Sequence, residues 1–256
     1  MNGRIKIVAL FLLISVTLFS CNREKSGKIA LCFTVSVDNQ SLVFNEMKYK
    51  NALGQEYSVE EVKYFISDLM LTDKEGKRFS IIRNNPVHYV DHGISSTQKW
   101  EIADFFPIGE YRSLTFVFGL SQERNKSNSF VNPPESAMAW PSVLGGGYHY
   151  LQINGKWKQD GADSSLNIHT GISRLVSSPD SLITHKHNYF TVSFSDVKFA
   201  IQEDKTTEMV LNMNINQWFS DDYDFQKYGA AIMENDFAQQ ILKKNGQSVF
   251  SLSTHK

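Results

Sequence analysis

The sequence has little net charge and little cysteine. Its 256 residues include 26 Lys and Arg against 27 Asp and Glu, which gives a formal net charge of −1, and only two cysteines. This balance excludes a nucleic-acid-binding protein that relies on a basic surface, so we predict no nucleic-acid partner. Intrinsic disorder is also excluded, because 41% of the residues are hydrophobic and 18 Phe and 10 Tyr can build a core.

Catalytic motifs are missing as well. The sequence contains no Gly-x-Ser-x-Gly nucleophile motif, no phosphate-binding loop with a Gly-Lys-Ser/Thr end, no His-Glu-x-x-His and no Cys-x-x-Cys. Glu135 and Asp160 are carboxylates that a hydrolase could pair, but nothing in their spacing commits them to acid/base chemistry. We therefore predict a protein that is not an enzyme.

The N-terminal segment has the features of an export signal. Arg4 and Lys6 precede an apolar run over residues 7–19, which is too short and wrongly flanked for a membrane-spanning helix. Residues 1–20 are therefore predicted to be a lipoprotein signal peptide, removed from the mature protein.

The signal ends in Leu18-Phe19-Ser20-Cys21, which resembles the bacterial lipobox. Cys21 is then the predicted lipidation site, and residues 21–27 form a short tether to the membrane. Lipidation leaves Cys32 as the remaining cysteine, so no intrachain disulfide is expected. The protein is predicted to be exported and lipid-anchored in the cell envelope, with the outer membrane as the favoured location.

Most apolar segments alternate with polar residues at every second position, which is typical of strands with one buried face. Asp38-Asn39, Asp73–Gly76 and Asn154-Gly155 separate such segments and predict hairpin turns. We therefore predict an all-β protein, a single antiparallel β-sandwich-like domain over residues 28–256. The alternating segments are Leu114–Leu120, Leu151–Ile153, Phe190–Phe194 and Met209–Ile215.

Helices are expected to be few. The capping-box spacing of Ser58–Glu61 predicts one helical turn before a long strand at 63–72. One short C-terminal helix is predicted to begin after Asn235 as N-cap and to stop at Gly246.

A glycine run and two long polar segments interrupt the strand pattern. Gly145–Gly147 leads into an aromatic segment and not into a helix, so it predicts a close backbone approach or a bulge and not a phosphate site. Residues 121–135 and 170–182 are polar and predict loops, which at that length are usually functional or mobile.

Histidine is the most informative residue type. Four of the seven histidines fall between residues 149 and 187. His185 and His187 would lie on one face of a strand, with Cα atoms ~7 Å apart, where two imidazoles can bind one metal ion. His149 shares the parity of the buried positions that follow it, so a hydrogen-bonded core histidine is the alternative to a ligand. His169 falls at a strand end, where ligands are usually presented.

A histidine-rich site without thiolates suits copper or zinc. Metal-bound imidazoles usually donate their second ring nitrogen to an outer partner. Asn167 and Tyr148 are the side chains that we consider for that role.

Several short motifs occur in a fixed order along nearly the whole mature chain. They are Tyr64–Leu71, Phe106–Tyr111, Phe116–Leu120, Met138–Pro141, Gly145–Leu151, Ile168–Gly171, Met213–Phe219 and Asn245–Phe250. In this order they resemble the MbnP-like family of exported copper-binding proteins, and the last two fit a lipoprotein branch of that family.

The resemblance implies a β-rich domain that binds one copper ion through histidines. In some members a tryptophan also takes part in copper binding, after a partner di-haem enzyme has oxidised it to kynurenine. Trp140 occupies the Met-x-Trp motif and His169 the His-x-Gly motif, whereas His149 is a candidate by proximity. The segment after Trp140 differs from that of members proven to bind copper, and His185 and His187 align with no known ligand. An unmodified core tryptophan is the alternative for Trp140.

Two functions follow as hypotheses. The first is a non-enzymatic, lipid-anchored protein that binds copper, with zinc as an alternative, for acquisition, storage or delivery. It predicts that His149, His169 and one of His185 or His187 converge on one point. The second is a surface lipoprotein without metal that binds a sugar or peptide on exposed aromatic rings. That platform would consist of Tyr148, Tyr150, Trp140 and Trp157.

Overall fold

The computed structural model describes residues 25–81, 86–178, 181–220 and 223–254. The predicted signal peptide at 1–20 and the lipidation site Cys21 lie outside these residues. The first strand begins at Ser26, two residues before the predicted start of the β domain at residue 28. Within the described residues, no helix is both long enough and apolar enough to cross a membrane.

The fold is all-β, as predicted, with sixteen described strands in two large sheets and one separate hairpin. In chain order the strands are β1 (Ser26–Val37), β2 (Gln40–Ser41), β3 (Tyr49–Lys50), β4 (Glu56–Asp73), β5 (Arg78–Ser80), β6 (Val87–Asp91), β7 (Lys99–Glu101), β8 (Phe106–Pro107), β9 (Gly109–Phe118), β10 (Leu151–Gln159), β11 (Ala162–Thr170), β12 (Ile172–Val176), β13 (Ile183–His187), β14 (Phe190–Ile201), β15 (Thr206–Asn214) and β16 (Phe250–Thr254).

The helices are short. They are α1 (Ile215–Trp218), α2 (Phe225–Tyr228) and α3 (Asp236–Asn245), with single 3₁₀ turns at Ser95–Thr97, Glu135–Met138, Ser142–Leu144, Ile232–Glu234 and Gly246–Ser248. The predicted C-terminal helix is confirmed as α3. The Asn235 side chain accepts a hydrogen bond from the Ala238 amide at 3.0 Å, as an N-cap should.

The six-stranded first sheet has the order β16-β15-β1-β2, with β7 and β8 paired to β1. The eight-stranded second sheet has the order β11-β10-β4-β9-β14, with β3, β5 and β6 paired to β4. Strands β12 and β13 form the hairpin. One pairing among the described strands is parallel: β1 runs alongside β15 from Lys28 opposite Thr206 to Ser36 opposite Asn214.

Two of the three predicted hairpin turns are confirmed. Asp38-Asn39 joins β1 to β2, and Asp73–Gly76 joins β4 to β5. The prediction for Asn154-Gly155 is wrong, because both residues lie inside β10, at a bulge against β4. A Cβ on Gly155 would lie 2.0 Å from the Ser58 carbonyl oxygen, so this glycine permits close approach of two strands. The turn is instead at Asp160-Gly161, with φ of 50° and 83°.

Two other local predictions are wrong. Ser58–Glu61 forms no helical turn, because it belongs to β4 and pairs with β10. Residues 170–182 are not one continuous loop, since Ile172–Val176 forms β12 and pairs with β13. In both places strand pairing across the sheet decided the backbone conformation over the local sequence signal.

Side chains of the central strand β4 build two separate cores. Tyr64 packs in the main core between the sheets, and Phe65, which points to the other face of the strand, packs in a second cluster. The segment before β10 covers that second face. The buried residues of the second cluster are Phe65, Tyr89, Leu120, Met138, Trp140, Leu144, Tyr148, Tyr150 and Ile172.

Candidate metal centre

Three of the predicted site residues meet at the edge of the second cluster. The ring centroids of Trp140 and His149 are 4.7 Å apart with an interplanar angle of 79°, and those of His149 and His169 are 5.1 Å apart at 83°. His149 therefore stands edge-on between the tryptophan and the second histidine. The arrangement joins the Met-x-Trp and His-x-Gly motifs in space.

His149 is buried, as its parity predicts, but it does not belong to a strand, because β10 begins two residues later. Its backbone amide and its Nδ1 both meet the Met138 carbonyl oxygen, at 2.7 and 2.9 Å. Since a carbonyl only accepts, Nδ1 carries the proton and donates it. The lone pair is then on Nε2, which is buried without a hydrogen-bond partner.

His169 lies near the end of β11 and is held differently. Its Nε2 is 2.7 Å from Oδ1 of Asn154, and Nδ2 of Asn154 donates to the Glu61 carboxylate at 2.8 Å. Because the carboxylate fixes which end of the amide faces it, Oδ1 faces the imidazole and Nε2 is the protonated nitrogen. The lone pair of His169 is therefore on Nδ1.

Burial keeps both imidazoles neutral. Desolvation lowers the pKa of His149, and it lowers the pKa of His169 to about 4, with the neighbouring His149 as a further cause. Neutral imidazole is the form that ligates metals, so the pair is ready to bind at neutral pH without first losing protons.

Trp140 is held firmly in the second cluster. Its Nε1 donates to the Ile172 carbonyl oxygen at 3.1 Å, and only 3% of the residue is exposed. A Cβ on Gly171 would lie 2.6 Å from the indole ring. The glycine of the His-x-Gly motif is therefore required because the indole packs directly on its backbone.

The glycine run makes the predicted close backbone approach. Gly145, Gly146 and Gly147 all have positive φ, between 70° and 121°. The side chains of Asn125 and Ser127 approach the run so closely that a Cβ on Gly147 or Gly146 would lie within 2.6 Å of them. Their oxygens accept hydrogen bonds from the backbone of this segment at 2.8 Å, which fixes the approach to His149.

His185 and His187 lie on β13 and not beside His149 and His169. Nδ1 of His187 is 3.3 Å from the Tyr150 hydroxyl, and His185 is exposed. Across the described ranges, no three His, Cys, Asp or Glu side chains are close enough to hold one metal ion. The structure thus brings together two of the four histidines that were predicted as ligands.

The prediction of an exposed aromatic platform is wrong, because all four rings are buried. Tyr148 and Tyr150 are 2% and 1% exposed, and Trp140 and Trp157 are 3% and 6% exposed. Trp157 packs in the main core, and the other three pack in the second cluster. Large apolar rings gain more from burial than from display, and none of these is presented to a sugar or peptide.

The predicted outer partners of the imidazoles are also wrong. Asn167 is exposed, and the Tyr148 hydroxyl bonds to the Phe130 backbone at the other side of the cluster. The actual partners are the Met138 carbonyl and Asn154. No pattern in the sequence singles out either one, because both depend on how distant segments are aligned.

The residues present fit a copper ion. Two neutral imidazoles lie with ring centroids 5.1 Å apart, and Nε2 of one of them, His149, is buried with no hydrogen-bond partner among the described residues. Cys32 lies on β1 in the other sheet, and burial raises the pKa of its thiol, so Cys32 contributes no thiolate to the pair. Nitrogen ligands without sulfur suit copper, and zinc also accepts them.

Known proteins resemble the chain in sequence and in fold. The family model of MbnP matches residues 26–235. The solved structure of MbnP from Methylosinus trichosporium is similar with a TM-score of 0.60 and 17% sequence identity, and the match covers 91% of this chain and 100% of that chain. At this identity the likeness shows the β-sandwich fold alone. No curated protein matches the chain.

Proposed function

The chain belongs to the MbnP family, and from that premise we propose that it is a non-enzymatic copper-binding protein whose ligands are His149 and His169. Copper arrives as cargo for acquisition, storage or delivery. His149 would bind through Nε2 and His169 through Nδ1, because the other ring nitrogen of each is already engaged by an oxygen acceptor.

One observation carries the proposal. The Nε2 atom of His149 is buried, holds a lone pair and has no partner within the described structure, and the ring beside it is a second neutral imidazole. A buried acceptor without a partner destabilises the folded protein by about 1–3 kcal/mol, so a histidine that served packing alone would not be expected to leave Nε2 unpaired. A metal ion bound at Nε2 would offset that loss of stability.

Copper titration of the purified protein tests this proposal. Stoichiometric binding that is lost in His149→Ala and in His169→Ala supports it. Competition with Zn²⁺ compares copper with the other metal that suits these ligands. Stoichiometric copper that survives both substitutions would show that the ligands lie elsewhere.

The same family membership supports a place in the cell envelope. We propose that residues 1–20 are removed on export and that lipidated Cys21 anchors the domain to a membrane. The N-terminal charge pattern and the lipobox support this. Mass spectrometry of the N-terminal peptide from the membrane fraction tests it: a diacylated or triacylated Cys21 is expected, and an unmodified N-terminus would refute it.

Trp140 is the proposed site of oxidation to kynurenine by a partner di-haem enzyme. Its five-membered ring is the part that this oxidation opens, and in the structure the Nε1 of that ring is bonded to the Ile172 carbonyl. Because Trp140 contacts His149, an oxidised product at this position would lie beside the proposed copper ligands. Peptide mass spectrometry of protein isolated from its native cell decides between kynurenine and intact tryptophan.

A further inference from the structure

The two ligand histidines are oriented by different kinds of partner. His149 donates Nδ1–H to a backbone carbonyl, which no substitution can reverse. His169 instead contacts an amide side chain, and an amide has an acceptor end and a donor end that can exchange by a flip. What fixes the Asn154 amide therefore decides which nitrogen of His169 is free.

Glu61 is the group that fixes it. Strand pairing places Glu61 on β4 directly opposite Asn154 on β10, and Asn154 lies diagonally from His169 on β11. Nδ2 of Asn154 donates to Glu61 at 2.8 Å, and Nζ of Lys63 lies 3.0 Å from the same carboxylate. A carboxylate held by a lysine and an amide donor cannot itself donate, so only one orientation of Asn154 satisfies the contacts.

We infer that Glu61 and Asn154 are positioning residues that select the Nε2–H tautomer of His169 and so keep its Nδ1 free for copper. The inference rests on the proposed copper site and adds to it a fixed order of hydrogen-bonded groups. The order is carboxylate, amide, imidazole and metal, in which each group fixes the next across three neighbouring strands.

The pKa of Glu61 agrees with this role. The hydrogen bond from Asn154 is the largest cause that lowers the pKa of Glu61, followed by the contact with Lys63. The carboxylate is therefore ionised at neutral pH and acts only as an acceptor. Outer partners of metal-bound histidines typically change metal affinity by 10–100-fold when removed.

A reversed charge tests the inference most sharply. In Glu61→Lys, the new ammonium would donate to Oδ1 of Asn154, turn Nδ2 toward His169 and move the imidazole proton to Nδ1. Long-range ¹H–¹⁵N NMR of the metal-free protein reports the tautomer of each histidine directly. We expect an Nε2–H tautomer at His169 in the unsubstituted protein and an Nδ1–H tautomer in Glu61→Lys.

Copper affinity in the same variants provides the second readout. We expect Glu61→Lys to weaken copper binding by on the order of 10–100-fold. Glu61→Gln adds no positive charge, but Lys63 would hold its oxygen and its Nε2–H would donate to Asn154, so the same tautomer switch and a similar loss of affinity are expected. Glu60→Lys makes the same charge change at the adjacent residue, whose ion-pair partner is Lys156, and controls for electrostatic repulsion of the metal.

The outcomes separate this inference from the copper proposal. An Nδ1–H tautomer in the unsubstituted protein, or a tautomer unchanged by Glu61→Lys, overturns the positioning role whatever happens to copper. A tautomer that switches while copper affinity stays constant leaves the hydrogen-bonded series intact and overturns His169 as a ligand. Equal losses of affinity in Glu60→Lys and Glu61→Lys, without a tautomer change, would reduce the effect to net charge.

Discussion

Two pairs of histidines in this protein have similar burial and different surroundings. Desolvation lowers the pKa of His88 and of His92 to about 4, the same value as for His169. His88 lies flat between Phe33 and Trp100, at interplanar angles of 18° and 7°. His149 and His169 instead meet edge-on at 83°.

The difference shows that a low pKa does not by itself identify a metal site. His92 also has a buried Nε2 without a partner, but the ring beside it is Tyr64, which offers no second imidazole. A stacked imidazole such as that of His88 packs its two faces against the neighbouring rings. Its nitrogens lie at the edge of the stack and do not point at those rings. In the edge-on pair the neighbouring ring is a second neutral imidazole, so two nitrogen ligands lie close to each other, as a metal ion requires.

The largest effect on copper affinity is expected from substitution of the two proposed ligands. His149→Ala and His169→Ala should each weaken copper binding by more than the roughly 100-fold that loss of an outer partner can cause. His92→Ala and His88→Ala should leave copper stoichiometry unchanged, provided that circular dichroism shows a folded protein. Isothermal titration with copper measures all four. Loss of copper in His92→Ala would mean that the two pairs do not differ in function.

A second test acts through the backbone beneath Trp140. In Gly171→Ala, the new Cβ would overlap the indole, so the free energy of unfolding should fall by about 1–3 kcal/mol and copper binding should weaken. Gly161→Ala is the control, because that glycine has φ of 83° and open space around it. It should cost about 1–2 kcal/mol through backbone strain alone and leave copper affinity unchanged. Urea denaturation and copper titration report both quantities.

The histidines outside the site provide a test by pH. An unfolded chain has histidine pKa values near 6.5, whereas folding holds those of His88 and His92 near 4. Between these pKa values the unfolded chain binds more protons than the folded protein. The contribution of the two neutral histidines to the free energy of unfolding is therefore fully present above pH 6.5 and is lost as the pH falls toward 4. Each histidine contributes up to about 1.4 kcal/mol per pH unit.

Replacing one of these histidines should flatten that dependence. His88→Phe keeps a ring between Phe33 and Trp100 and removes the titrating group. Its free energy of unfolding, measured by urea denaturation from pH 4 to 7, should change less steeply than that of the unsubstituted protein. An unchanged slope would show that His88 is not held neutral by folding.

The smallest effect is expected at the third pair of histidines. His185→Ala and His187→Ala should change the copper affinity by less than about threefold, the change expected of residues outside the proposed pair of ligands. The same copper titration measures this. A loss as large as that of His169→Ala would place β13 in the metal site and extend the site beyond the edge-on pair.

Sequence reasoning predicted the fold class because period-two alternation is a property of single strands. It misplaced the β10–β11 hairpin, because Asn-Gly can serve either a turn or a bulge, and only pairing with Ser58 distinguishes them. Asp160-Gly161 offered an equally good turn signal six residues later and was the correct one.

The candidate site was predictable in part. Burial of His149 follows from parity, and the importance of Trp140 and His169 follows from the family motifs. The roles of Asn154 and Glu61 do not, because they depend on the register of three strands, and a shift of one residue would turn these side chains to the other face. Hydrogen bonds that run across several strands produce no recognisable pattern in the sequence of any single strand.

The parallel pairing of β1 with β15 also sets when the protein can fold. Thr34 and Asn212 are bonded across 178 residues, so the first long strand has no neighbour on that side until nearly the whole polypeptide has been synthesised. At ribosomal speeds that interval is roughly 10 to 40 s. Throughout it the first sheet stays open, and contacts so distant along the chain form slowly even afterwards. The topology thus delays completion of the first sheet until synthesis of the chain is nearly finished.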